Sequence, residues 1–144
     1  MDSGQTVVTD GEASAVLSTG QLPILLATWS GSLTSTLVDR YFDAHYATLR
    51  ALDREGRRCV LLTLGLAAAR PSPVVRGRIT ERMGDDRDLL DRVIVSNAVV
   101  VESTIVRGAM IAMGWVDESL RVPMFATEEE AFAWAHVQCD QYGL

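Results

Sequence analysis

The segment RCVLLTLGLAAARPSP, residues 58–73, decides the fold class of this chain. Its first part, Arg58 to Leu64, is a short apolar run with turn-forming residues beyond it, which is typical of a buried strand. The loop that follows ends at Ser72 and Pro73, where the serine can cap the free amides of a helix and the proline fits its first turn. A strand, a loop and a helix opening in this order predict a β-α unit.

The same alternation extends in both directions from this unit. Three further apolar runs predict strands, at Pro23 to Trp29, Asn97 to Ser103 and Val122 to Ala126. Apolar residues spaced by three and four positions, together with capping residues, predict four helices. They run from about Thr34 to Glu55, from Ser72 to Gly84, from Ser103 or Thr104 onward and from Thr127 onward. Asp85 is predicted to cap a further turn after Gly84. Strands that alternate with helices favour a single α/β domain with a mixed, mostly parallel sheet covered by about four helices.

The N-terminal segment, residues 1–21, is predicted to add a β-hairpin to that sheet. Asp10 and Gly11 lie between two β-prone runs, Val7–Val8 and Ala15–Leu17, and Asp-Gly in this position is a hairpin signal. Residues 22–144 are predicted to form the rest of the domain, since 144 residues suffice for one sizeable core.

The composition excludes several classes of function. Hydrophobic residues make up 48% of the chain and charged residues 22%, a globular rather than a disordered balance. All 13 basic residues are arginine, so no lysine can form a Schiff base or hold a phosphate in a phosphate-binding loop. The net charge of −6 disfavours nucleic acid as a partner, because that binding depends on neutralising phosphates.

The sequence also predicts where the chain works. It has no run of about 18 apolar residues, so no insertion into a membrane is expected. The start, MDSGQTVVTDGE, has neither the positive charge nor the apolar block of a secretory signal. The expected location is therefore cytoplasmic.

Few side chains suit catalysis or metal binding. His45 and His136 have no cysteine or carboxylate at ligand spacing and no convincing serine partner, and we expect the first in the core or at its boundary and the second at the surface. Cys59 is expected to be a buried thiol and Cys139 an exposed one. No glycine-rich phosphate loop or nucleophile elbow is present. The chain is predicted to be non-enzymatic, with no cofactor and no metal.

Three consecutive glutamates follow Thr127 in the segment PMFATEEEAFAWA, residues 123–135. Thr127 and Glu130 have the spacing of a capping box, in which each side chain bonds the other residue's backbone amide. Glu128 and Glu129 lie in the first turn, where the helix dipole favours negative charge by about 0.3–1 kcal/mol each. A helix start therefore explains the three carboxylates better than an acidic active site.

The order of the elements, their size and two stretches resemble the STAS domains, named for sulfate transporters and anti-sigma-factor antagonists. The stretches are VLLTLGLAAARPS, residues 60–72, and FATEEEAFAWA, residues 125–135. The resemblance is to the stand-alone bacterial STAS-like proteins and covers about residues 22–144. It implies a non-enzymatic regulatory module that binds a protein partner or itself.

The resemblance also points to Ser72. In anti-sigma-factor antagonists a serine at the start of the helix after the central strand is phosphorylated by the partner kinase, and the phosphate switches binding off. Ser72 falls at the matching place. The chain departs from the family at three positions, with Thr63 at the strand end and Pro71 and Pro73 around the serine. As a helix cap, Ser72 would contribute about 1 kcal/mol, and both roles stay open.

A cluster of arginines surrounds the helix that Ser72 opens, with Glu81 the only acid among them. Arginine binds carboxylate and phosphate through its planar fork, so the predicted contact surface for a protein partner consists of Arg70, Ser72, Arg76, Arg78 and Arg82. The alternative is a solvated face paired with the downstream acids Asp85, Asp86, Asp88 and Asp91. Rival functions are a homodimer, and a small-molecule carrier or enzyme with a pocket between helices and sheet.

Overall fold

The computed structural model describes residues 4–65, 71–103, 105 and 122–144. The strands are β1 (Gln5–Asp10), β2 (Ala13–Gln21), β3 (Ile24–Ser30), β4 (Cys59–Leu64), β5 (Ile94–Val100) and β6 (Met124–Phe125). The helices of the described residues are α1 (Ser35–Arg54), α2 (Pro73–Met83), α3 (Arg87–Val93) and α4 (Glu128–Tyr142). A six-stranded mixed sheet with four helices confirms the predicted α/β fold.

The strands follow one another across the sheet in chain order. β1, β2 and β3 pair antiparallel, whereas β3, β4, β5 and β6 pair in parallel. The connections from β3 to β4 and from β4 to β5 both lead to the next strand in the same direction across the sheet. Right-handed crossovers therefore place the helices of both connections on one face of the sheet. α1, α2 and α3 accordingly share one face of the sheet, and α4 packs on the other.

The central strand β4 is buried on both faces. Cys59 and Leu61 belong to the apolar cluster under α1, α2 and α3, whereas Val60, Leu62 and Leu64 belong to the cluster under α4. A strand covered on both sides needs apolar side chains at successive positions. This explains why its sequence is a continuous apolar run without polar alternation.

The N-terminal hairpin forms as predicted. β1 and β2 pair without a register shift from Gln5 opposite Ser18 to Asp10 opposite Ala13. Gly11 in the turn has a φ of 61°, a conformation that glycine adopts without steric penalty and that tight hairpin turns require. β2 also pairs with β3, so the hairpin joins the sheet as its first two strands.

The helix starts follow the serine and threonine pattern of the sequence. Thr34, Ser72 and Thr127 each accept a hydrogen bond from the backbone N–H three residues later, at 3.1, 3.3 and 3.2 Å. For Thr127 this is the forward half of the predicted capping box. α3 is capped by Asp86 rather than by the predicted Asp85.

Two predictions about local structure were wrong. The strand predicted from Asn97 to Ser103 runs from Ile94 to Val100. It begins earlier because α3 leads directly into β5 without a loop. Cys139 is buried rather than exposed, since it lies on the side of α4 that packs on the sheet.

The helix predicted from Ser103 or Thr104 lies outside the described residues apart from its first positions. No helix in the described ranges is long and apolar enough to cross a membrane.

His45 lies in the core, as predicted, on the buried side of α1. Its Nδ1 is 3.0 Å from the Tyr41 hydroxyl, and the rings of Phe42 and Tyr46 lie edge-on to it with centroids 5.6 and 5.9 Å away. Burial lowers the pKa of His45 to about 4. The imidazole is therefore neutral at neutral pH.

We predict that the burial of His45 makes the fold sensitive to mild acid. The unfolded histidine has a pKa near 6.5 and the folded one a pKa of about 4, so falling pH adds protons preferentially to the unfolded chain. The destabilisation is absent above about pH 6.5 and reaches about 2 kcal/mol at pH 5.

Urea unfolding of the wild type, His45→Phe and His136→Gln at neutral pH and at about pH 5 measures this effect. His45→Phe is expected to lose less free energy of unfolding on acidification than the wild type. His136 is exposed, so its variant should behave as the wild type does. An identical loss in all three proteins would contradict the prediction.

Candidate functional site

α2 presents its N-terminal turn to solvent. Ser72 is exposed, and Val74 keeps 76% of its surface accessible. Val75 is the one fully buried side chain of the helix, with Ile79 and Met83 packing partly against the core. Most of the surface of α2 therefore faces away from the domain.

One side of α2 is open and nearly flat. Val74, Gly77 and Glu81 lie on successive turns of this side, and all three are exposed. A Cβ placed at Gly77 would meet no atom within 4 Å, so nothing in the fold requires glycine there. Glycine inside a helix costs about 1 kcal/mol relative to alanine.

Arg82 faces α1, and its side chain is only 12% exposed. Its Nε donates to Asp85 at 2.7 Å, its Nη1 to Asp39 at 3.0 Å and its Nη2 to Asp43 at 2.8 Å. The guanidinium also lies 5.8 Å from the centroid of the Phe42 ring. One arginine thus ties α2 and the turn after it to two successive turns of α1.

Arg78 completes this ion-pair network. Its Nε donates to Asp39 at 2.7 Å and its Nη1 to Glu81 at 2.8 Å. The bonds from Arg78, and then from Arg82, lower the pKa of Asp39 despite the opposing effect of its partial burial. Burial acts against the charge of Arg82, but the carboxylates of Asp43, Asp39 and Asp85 outweigh it and raise its pKa. Asp39, Arg78 and Arg82 are therefore charged at neutral pH.

The predicted contact residues therefore separate into two groups. Ser72 lies at the exposed end of α2 and Arg76 is half-buried on it. Arg78 and Arg82 are brought together, but by carboxylates of the same chain. Arg70 lies outside the described residues.

The sequence did not reveal the partners of these arginines. Among the described residues, one of the four downstream acids, Asp85, pairs with the cluster, and Asp39 and Asp43 come from α1. Those two aspartates are four residues apart and so share one side of their helix. That spacing indicates a polar stripe, but it does not say which helix packs against it.

A pocket of about 390 Å³ opens beside the network, lined by Asp43, Tyr46, Arg50, Arg82, Asp85 and Asp86. The Tyr46 hydroxyl donates to the carbonyl of Arg82 at 2.5 Å, which fixes one wall. Small-molecule sites are mostly apolar with a few polar groups, whereas five of these six side chains are charged. The pocket also lies among helices rather than between helices and sheet.

Neither a metal-binding cluster nor an ionised cysteine is found in the described part of the chain. No group of three or more histidine, cysteine or acidic side chains there is arranged to hold a metal ion. Burial raises the pKa of Cys59 to about 12 and also raises that of Cys139. Both are protonated thiols at neutral pH, and a protonated thiol is a poor nucleophile.

Comparison of the chain with protein-family models, with curated proteins and with solved structures gives no significant match. The STAS-like resemblance stays a prediction that rests on residues 60–72 and 125–135.

We predict that Arg82 anchors α2 and that Arg82→Met lowers the free energy of unfolding by about 1–2 kcal/mol. The substitution leaves Asp39 and Asp43 without a shared cation and removes the tie between two helices. Arg57→Met is the control, because the pair of Arg57 with Glu55 is exposed on both sides and should contribute less than about 0.5 kcal/mol. Equal losses in urea unfolding would show that the network does not anchor the helix.

Proposed function

We propose that this chain is a non-enzymatic protein-interaction module of STAS-like type that docks a protein partner on the open side of α2. The observation that carries this proposal is the exposure of Val74 beside Ser72 and one turn from Gly77. A single exposed valine is ordinary. Here the exposed valine lies one turn from a glycine at which the described fold would also accept a side chain. Such a surface would let a partner chain pack closely against the backbone of α2.

The ion-pair network supports this proposal by fixing the position of the helix. Arg78 and Arg82 hold α2 against α1 through Asp39. A helix with one fully buried side chain would otherwise be weakly attached, and ordering it on binding would cost affinity. Under this proposal, the two arginines position the surface, whereas Val74 and Gly77 meet the partner, next to the exposed helix start at Ser72. Arg70 and Arg76 stay predicted contact residues.

α2 carries three arginines, Arg76, Arg78 and Arg82, against one acid, Glu81, and this excess of positive charge favours an acidic partner surface. Ser72 lies four residues before Arg76, so both are on one side of the helix start. Helix amides and arginine are favourable surroundings for phosphate.

Phosphorylation of Ser72 would change this surface directly. The phosphate would place about two negative charges where an acidic partner has to approach. That agrees with the switch implied by the resemblance, in which the phosphorylated form does not bind. The present capping bond to Val75, at 3.3 Å, is compatible with such a modification because the serine is exposed.

The rival function, a small-molecule carrier or enzyme, has one feature in its favour, the pocket beside Arg82. Its charged lining is better suited to hydrated ion pairs than to a buried ligand. A native mass spectrum of the purified protein distinguishes the two. Added mass that survives purification and is lost on denaturation would favour the carrier.

We predict that Val74→Asp weakens partner binding about tenfold or more, because it puts a charge into the centre of the contact. Val137→Asp is the matched control, since Val137 is 53% exposed but lies on α4, across the sheet. A pull-down with the tagged wild type from the lysate of the source organism identifies the partner. Calorimetric titration of that purified partner then compares the variants.

Two substitutions at Ser72 test the switch in the same titration. Ser72→Asp is expected to weaken binding, whereas Ser72→Ala should retain it and lose about 1 kcal/mol of stability with the cap. If Val74→Asp and Val137→Asp bind the partner equally well, the open side of α2 is not the docking surface.

A further inference from the structure

The two edges of the sheet are unequal. β6 is a strand of two residues, too short to act as a template for another chain. β1 has six residues and pairs on one side only, with β2. Residues 5–9 read QTVVT, with no charge, no proline and no bulge against β2. Charged side chains, proline and bulges, which commonly protect an edge strand, are therefore missing from residues 5–9 themselves.

The hairpin register fixes which backbone groups of β1 face outward. Asp10 and Ala13 flank the two-residue turn, and residues in that position form a hydrogen-bonded pair. Bonded and non-bonded pairs alternate from there along the strand. The N–H and C=O groups of Gln5, Val7 and Thr9 consequently point away from β2.

Two observed contacts agree with this assignment. The Thr9 carbonyl accepts a bond from the guanidinium of Arg40, which an inward carbonyl could not do. The Gly4 carbonyl, one position beyond the outward Gln5, accepts from the Thr19 N–H of β2 at 2.6 Å. Among the described residues, the bond from Arg40 is the contact seen on the outer edge. Gln5, Val7 and Thr9 are all exposed residues.

We propose that β1 pairs antiparallel with β1 of a second copy of this chain, about a two-fold axis at Val7. In this register Val7 lies opposite Val7 of the second copy, and Gln5 lies opposite Thr9 of the second copy. The three outward residues of each strand then form three hydrogen-bonded pairs. The two six-stranded sheets join into one continuous sheet.

A second copy fits this edge because the register is self-complementary. Val7 is 58% exposed on the sheet face away from α1, so the axis brings two apolar β-branched side chains together. The flanking pairs join neutral residues, Gln5 with Thr9 and Thr6 with Val8. Asp10 lies beyond the paired stretch. Although each chain has a net charge of −6, no two like charges face each other across the paired β1 strands.

This self-association is independent of the docking proposed for α2, since it uses no residue of that helix. Sedimentation equilibrium of the wild type over a range from micromolar to near-millimolar concentration should show a monomer–dimer equilibrium. Val7→Lys and Val7→Glu should each weaken the dimer roughly tenfold or more, because like charges meet at the axis. An equimolar mixture of the two variants should restore a dimer. Val137→Lys is the control and should dimerise as the wild type does.

Three results would overturn the proposal: a wild type that is monomeric throughout, a dimer that both charged variants retain, or a mixture that stays monomeric. Circular dichroism establishes that each variant is folded, which is expected because the Val7 side chain and its N–H face outward. Hydrogen exchange of the wild type gives a test without substitution. The Gln5, Val7 and Thr9 amides should exchange more slowly as protein concentration rises, and concentration-independent exchange would also overturn it.

Discussion

The burial of β4 on both faces is the constraint on which the rest of the structure depends. Its side chains alternate between the two apolar clusters, so both faces of the sheet must be covered by helices. β4 pairs in parallel with β3 and with β5, so a crossover connection precedes it and another follows it. Because the strands are adjacent in chain order, both right-handed crossovers lie on the same face of the sheet. α4 is then the described element that covers the other face.

This arrangement leaves α2 at the periphery. α1 fills the space next to the sheet with eight buried side chains, whereas α2 buries one and is also bonded to α1 through Arg82 and Arg78. Charged bonds suit such a helix, because they fix its position while most of its side chains stay out of the core. α2 is therefore anchored while Ser72 and Val74 remain exposed.

Features encoded by neighbouring residues could be predicted from the sequence, and features that depend on assembly could not. Capping by Thr34, Ser72 and Thr127 follows from chemistry within four residues, and the strands and α1 from short-range periodicity. The partners of Arg82 lie on another helix, so no local pattern identifies them. The prediction that Cys139 is exposed was wrong because the sequence of α4 has no clear separation of apolar and polar sides. The open edge of β1 became visible only with the strand order.

The central claim is that α2 is a docking surface, and site-specific photocrosslinking tests it most directly. A photoreactive amino acid at position 74, and in a control protein at position 137, is irradiated in the lysate of the source organism. If α2 docks a partner, position 74 should give one discrete adduct that is absent from position 137 and is lost when Ser72→Asp is introduced. No adduct at 74, or the same adducts from both positions, would contradict it.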